Sequence, residues 1–164
     1  LYVLVGILLV ACNEKRSGEN EAVTDSTYTV INRIDTGNLV TDPHYFWEAR
    51  ADDESSRTLL RKSRPLDKDS LTAPVLVSMI NERYQGIELQ LVKISGDTIF
   101  TRIKNATLLT NQMGSSGADI YLTEACFNLT ELPGIHYVHI DFKEGEHASP
   151  GTYSRIDFVN VRFN

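Results

Sequence analysis

The chain has 164 residues, with 16 Lys plus Arg against 22 Asp plus Glu, a formal charge of −6 at pH 7 and a hydrophobic fraction of 41%. That length suits one modest core. The acidic balance, with an isoelectric point near 5.2, excludes a nucleic-acid partner held chiefly by counterion release, and two cysteines, Cys12 and Cys126, are too few for a disulfide framework.

Residues 1–12 form an uncharged apolar run that stops at Cys12 and is followed at once by Asn13-Glu14-Lys15-Arg16. The run is too short to span about 30 Å of hydrocarbon, and the charges after it forbid its extension. Leu9-Val10-Ala11-Cys12 resembles the lipobox that ends a bacterial lipoprotein signal: a branched residue fits the peptidase pocket, a small residue precedes the cut, and the thiol accepts lipid. The resemblance implies a protein of the bacterial cell envelope, periplasmic or surface-facing, anchored to a membrane through lipid on Cys12. Cys126 then stands alone, without an intramolecular partner. Residues 13–40 are polar and lack sustained periodicity, which reads as a tether, although Tyr28-Thr29-Val30-Ile31 is β-prone and able to pair with a sheet edge. The folded domain is expected over residues 41–164.

Residues 45–50, rich in aromatics, and residues 57–62 read as two strands of a hairpin around the polar turn Asp52-Asp53-Glu54-Ser55-Ser56. The basic residues of the return strand suit a solvated edge that discourages aggregation. A helix is expected over 73–85: Thr72 caps it, Pro74 sits in the first turn, Leu71 staples against Leu76, and Gly86 supplies the stop. Residues 87–91 alternate like a half-buried strand, turn at Ser95-Gly96-Asp97, and return over 98–103. After a connection with a short helical turn at 105–113, Ser115 or Ser116 caps a second helix with Asp119 in its first turn. Its apolar stripe is Ala118, Tyr121, Leu122, Ala125, Leu129 and Leu132, and Pro133-Gly134 ends it. Residues 135–142 follow as a strand with Val138, Ile140 and Phe142 on one face and Tyr137, His139 and Asp141 on the other. After a polar loop at 143–151, residues 156–161 are β-prone. The fold class expected is α/β of the α+β type, a small antiparallel or mixed sheet with two helices packed on one face.

Three stretches carry a family likeness: Gly96-Asp97-Thr98-Ile99-Phe100, Gly114-Ser115-Ser116-Gly117-Ala118, and Leu129-Thr130-Glu131-Leu132-Pro133-Gly134-Ile135-His136-Tyr137-Val138. With the order hairpin, helix, hairpin, helix and strand, residues 45–142 resemble the GerMN domain of GerM-type spore-germination lipoproteins. The resemblance implies an exported, lipid-anchored module used for interaction rather than catalysis, with self-association among its possible uses. It carries no catalytic residues and no cofactor.

His139, Asp141, Glu144, Glu146 and His147 are ligand types for a divalent metal, but they follow no fixed ligand spacing, and a solvated face with a polar loop is the simpler reading. Gly114-Ser115-Ser116-Gly117 lacks the Lys-Ser/Thr pair of a phosphate loop. Cys126 beside Leu122 and Leu129 reads as a buried small hydrophobe. Tyr45, Trp47, Tyr137, His139 and Asp141 are the candidate interaction surface, with an envelope protein or a second copy of the chain as partner. The alternative is a peptidoglycan- or glycan-binding module, or a hydrolase accessory, in which exposed aromatics stack on sugar rings. The simpler explanation for the run Tyr45-Phe46-Trp47 is one face in the core and the other covered by the tail after Pro150.

Overall fold

Two hairpins organise the chain, and each builds its own sheet. A computed structural model describes residues 44–55 and 57–164; Cys12, the tether and the β-prone residues 28–31 lie outside the described residues. The first hairpin pairs β1 (His44–Ala51) with β2 (Thr58–Leu66) antiparallel, and β2 takes a short parallel strand, β7 (Val161–Phe163), on its other side. The second pairs β3 (Leu89–Ser95) with β4 (Thr98–Ile103); β5 (Tyr137–Asp141) then joins β4 in parallel, and β6 (Gly151–Tyr153) closes the four-stranded sheet. The molecule is α+β with mixed sheets, and its strands divide between two sheets rather than lying in one.

Two helices fill the space between these elements. The first, α1 (Ala73–Arg83), has a proline in its first turn and ends at Gly86, whose φ of +97° suits glycine; a Cβ there would come within 2.8 Å of Leu108. Thr72 has the extended backbone of an N-cap, yet its side chain makes no capping bond. The second, α2 (Gly114–Leu129), starts before the serines expected to cap it, directly after Met113, and a single π-helical turn at Leu108–Gln112 precedes it.

The main core joins Leu76 and Ile80 of α1, Leu89, Ile99, Ile103, Val138 and Ile140 of the four-stranded sheet, and Tyr121, Ala125 and Leu129 of α2. A second cluster joins Trp47, Ala49 and Leu60 of the three-stranded sheet to Phe127 on another side of α2. Every residue from Tyr121 to Leu129 is therefore buried, beyond the single stripe the periodicity describes. The rings of Trp47, Phe127 and Phe163 stand edge to face, each pair of centroids 5.9 Å apart.

What docks β1 on α2 is polar. The first-hairpin edge facing away from β2 presents the N–H groups of Ala49, Trp47 and Tyr45. They donate to Glu124 Oε2 (2.9 Å), Asn128 Oδ1 (2.8 Å) and Glu131 Oε2 (3.4 Å) respectively. The spacing has a geometric cause: four residues of helix advance about 6 Å and two residues of strand about 6.7 Å, so positions i, i+4 and i+7 keep step with alternate strand residues. Asn128 Nδ2 also donates to the Trp47 carbonyl (2.9 Å), closing a two-bond ring with one strand residue. Asn81 of α1 does the same for Leu89 on the outer edge of β3, at 2.8 and 2.9 Å.

Two local expectations change. Residues 156–161 do not form a strand: Ser154 donates through its N–H and hydroxyl to Asp157 Oδ2 (2.6 and 2.7 Å), and this capping box winds Arg155–Asp157 into a 3-10 turn. The strand begins only at Val161. In β3 a bulge between Leu91 and Lys93 shifts the register, so Leu91, Val92 and Ile94 are all exposed instead of alternating.

Replacing Asn128 with Ala removes both of its bonds to Trp47 and strands a buried N–H and C=O. The expected loss is about 2–4 kcal/mol, read as a lower urea midpoint at unchanged slope.

Candidate functional site: an aromatic cleft beside Glu131

A cleft of about 740 Å³ opens where β1 begins and α2 ends. One wall is His44, Tyr45 and Trp47 of β1 with Lys62 of β2; the floor is the turn from Thr130 to Tyr137; the far wall is Ser154, Arg155 and Ile156. The floor turns at Gly134, whose φ is +78°. That volume lies within the range of pockets for drug-sized ligands, about 300–1,000 Å³.

Glu131, just past the end of α2, ties the walls together. Trp47 Nε1 and Arg155 Nη2 donate to its Oε1 at 2.7 and 2.6 Å, and His44 Nδ1 lies 3.1 Å from its Oε2, which also takes the Tyr45 N–H. Burial alone would raise its carboxyl, but hydrogen bonds from Trp47 and Arg155, with the charge of Arg155, outweigh it and hold the group below the ordinary value. The carboxylate is ionised at neutral pH and its acceptor positions are taken. Arg155 is equally engaged: its Nε donates to Thr130 Oγ1 (2.7 Å), its Nη2 to the Phe127 carbonyl (2.9 Å), and its plane lies 5.0 Å from the Phe127 ring centroid.

Glu124, the first member of the same ladder, has the opposite electrostatics. It is fully buried, and burial pushes its carboxyl above the ordinary value against the opposing pull of the Ala49 N–H, Arg83 and Tyr84. Tyr84 donates to Oε2 at 2.9 Å. Arg83 Nε stands 2.6 Å from Oε1 off the line of its N–H, so this contact is a pairing of charge rather than an aligned hydrogen bond.

Lys62 Nζ lies 4.6 Å from the Tyr45 ring centroid and 5.7 Å from that of Trp47. It has no ion-pair partner among the described residues. With Glu131 and Arg155 cancelling, the cleft keeps, among the described residues, one uncompensated fixed positive charge. Tyr137 is 43% exposed and Ile156 84% exposed at its rim, whereas Trp47 is 8% exposed.

Of the candidate interaction residues, Tyr45, Trp47 and Tyr137 come together here. His139 and Asp141 lie elsewhere, on the outer face of the four-stranded sheet: His139 Nδ1 is 2.9 Å from Thr152 Oγ1, and Asp141 pairs with Arg102 at 2.8 Å. Phe46 enters the main core, while Trp47 is covered by Phe163 and Arg155 of the tail. Glu144 accepts from Ser149 and His147 meets Ser115, so these ligand types are dispersed. No group of three or more His, Cys, Asp or Glu that could hold a metal is gathered among the described residues. Sequence reading missed Lys62, Glu131 and Arg155. The i, i+4, i+7 spacing of Glu124, Asn128 and Glu131 was the available signal; Arg155 had none.

Comparison with protein-family models, with curated proteins and with solved structures returned no match.

Because the folded-state value of Glu131 is depressed, its stabilisation is present above the unfolded carboxyl value and is lost as pH falls through the folded one. Glu131→Gln is therefore expected to be less stable than the parent near neutral pH and to show a shallower loss on acidification. Urea titrations from about pH 7 to about pH 3 test this. Cys126 is fully buried, and burial pushes its thiol up to about 12. A thiol reagent at neutral pH is expected to label it only after unfolding; labelling of the native thiol at the rate of a free cysteine would contradict its place in the core.

Proposed function

We propose that this chain is a bacterial envelope lipoprotein, held to a membrane by lipid on Cys12, whose domain is a non-enzymatic interaction module that receives a protein partner in the cleft. The address rests on the lipobox-like residues 9–12, and the interaction role on the GerMN-like pattern. The observation that carries the reading is the state of the cleft: its carboxylate is saturated by four donors, so it braces the walls instead of offering a free base, while Tyr137 and Ile156 leave ring and aliphatic surface open to a partner. Exposed aromatic surface beside a rigid wall is the usual anchor of a protein interface.

The test is a pull-down from detergent-solubilised envelope with the full chain as bait, beside Cys12→Ser and Tyr137→Ala. A defined set of envelope proteins is expected with the parent chain, retained at about one tenth the affinity or less by Tyr137→Ala. Since Tyr137 is exposed, the variant is expected to unfold at the parent's urea midpoint within about 0.5 kcal/mol. Enrichment indifferent to Tyr137, or recovery of wall fragments alone, would reject the proposal.

A further inference from the structure

We propose that the cleft takes an acidic peptide segment carrying an aromatic or aliphatic side chain; this ligand class rests on the reading of the cleft as a partner site. The argument is one of what the walls still have to give. Glu131 is filled, Thr130 Oγ1 accepts from Arg155 and donates to the Cys126 carbonyl, and the Ser154 hydroxyl is committed to Asp157. Lys62 remains as an ammonium without a carboxylate among the described residues, beside the Tyr45 ring and in one cleft with the exposed His136 and the phenol of Tyr137. The phenols and the imidazole donate or accept and so serve a neutral sugar as well as a carboxylate, but an anion alone also draws on the charge of Lys62. That charge makes the lining favour an anion.

The rim decides between an acidic peptide and an acidic glycan. Ile156, Pro133 and the Tyr137 ring give the mouth aliphatic and aromatic surface in the same cleft as the cation, which suits an apolar side chain in the same short segment as a carboxylate. The mode of capture follows from the ladder. The outward N–H groups of Tyr45, Trp47 and Ala49 are held by Glu124 and Asn128 of α2 and by Glu131 just past its end, so the segment cannot add to β1 as another strand and must be recognised through its side chains.

Trp47 is the single tryptophan of the chain and lines the cleft, so its fluorescence reports occupancy. The full chain in detergent is titrated with a synthetic peptide alternating glutamate and phenylalanine, with its glutamine counterpart, and with a galacturonate oligosaccharide. The acidic peptide is expected to give a saturable change, with the glutamine counterpart about tenfold weaker. Lys62→Gln is expected to weaken the acidic peptide by about tenfold, Lys62→Arg to preserve binding, and added salt to narrow the gap between the two peptides. Equal binding of both peptides, indifference to Lys62, preference for the galacturonate, or no saturable change with either peptide would overturn the proposal. If envelope partners still depend on Tyr137 while peptide charge is irrelevant, the acidic class alone fails; if they do not depend on Tyr137, the cleft itself is the wrong site.

Discussion

The edge of β1 is held by side chains rather than by another strand, and the geometry of the molecule depends on that. An unpaired sheet edge is a row of donors and acceptors that must find partners or face water. Here α2 supplies them from one face, with Asn128 acting toward Trp47 much as a neighbouring strand residue would. The price is a helix whose last nine residues are buried, including Glu124 and Asn128. Such groups are tolerated because each is bonded to the element it meets.

The two carboxylates of the ladder diverge for the same reason. Glu124 lies deep, where loss of hydration dominates and its carboxyl is raised; Glu131 lies at the helix end, where donors dominate and its carboxyl is lowered. The ladder thus grades from interior to cleft. At its outer end a structural bracket becomes the wall of the cleft, because the residues that satisfy Glu131 (Trp47, His44 and Arg155) are also those that line the cavity.

Most elements were legible because their signals are local. Pro74 and Gly86 bracket α1, Gly96 turns the second hairpin, and the i, i+3, i+4 recurrence from Ala118 gives α2. What was not legible depended on partners distant in sequence. The polar face of α2 reads as solvent-facing until a strand some eighty residues earlier lies against it. The bulge in β3 breaks an alternation that residues 87–91 begin well, and the Ser154–Asp157 box overrides the β-propensity of Ile156. Of the site, the aromatic members could be named from composition, but Arg155 carries no local mark of its role.

The wide separation of these partners also orders the assembly of the fold. The first hairpin is complete by Leu66, yet its edge bonds come from Glu124, Asn128 and Glu131, its flanking strand from residues 161–163, and its ring packing from Phe127 and Phe163. Contacts so remote require chain closure before they return any stabilisation. The first described hairpin is thus a late participant: its outer edge stays bare until the chain has grown past Glu131, and for that interval it is a segment in need of shielding by a chaperone.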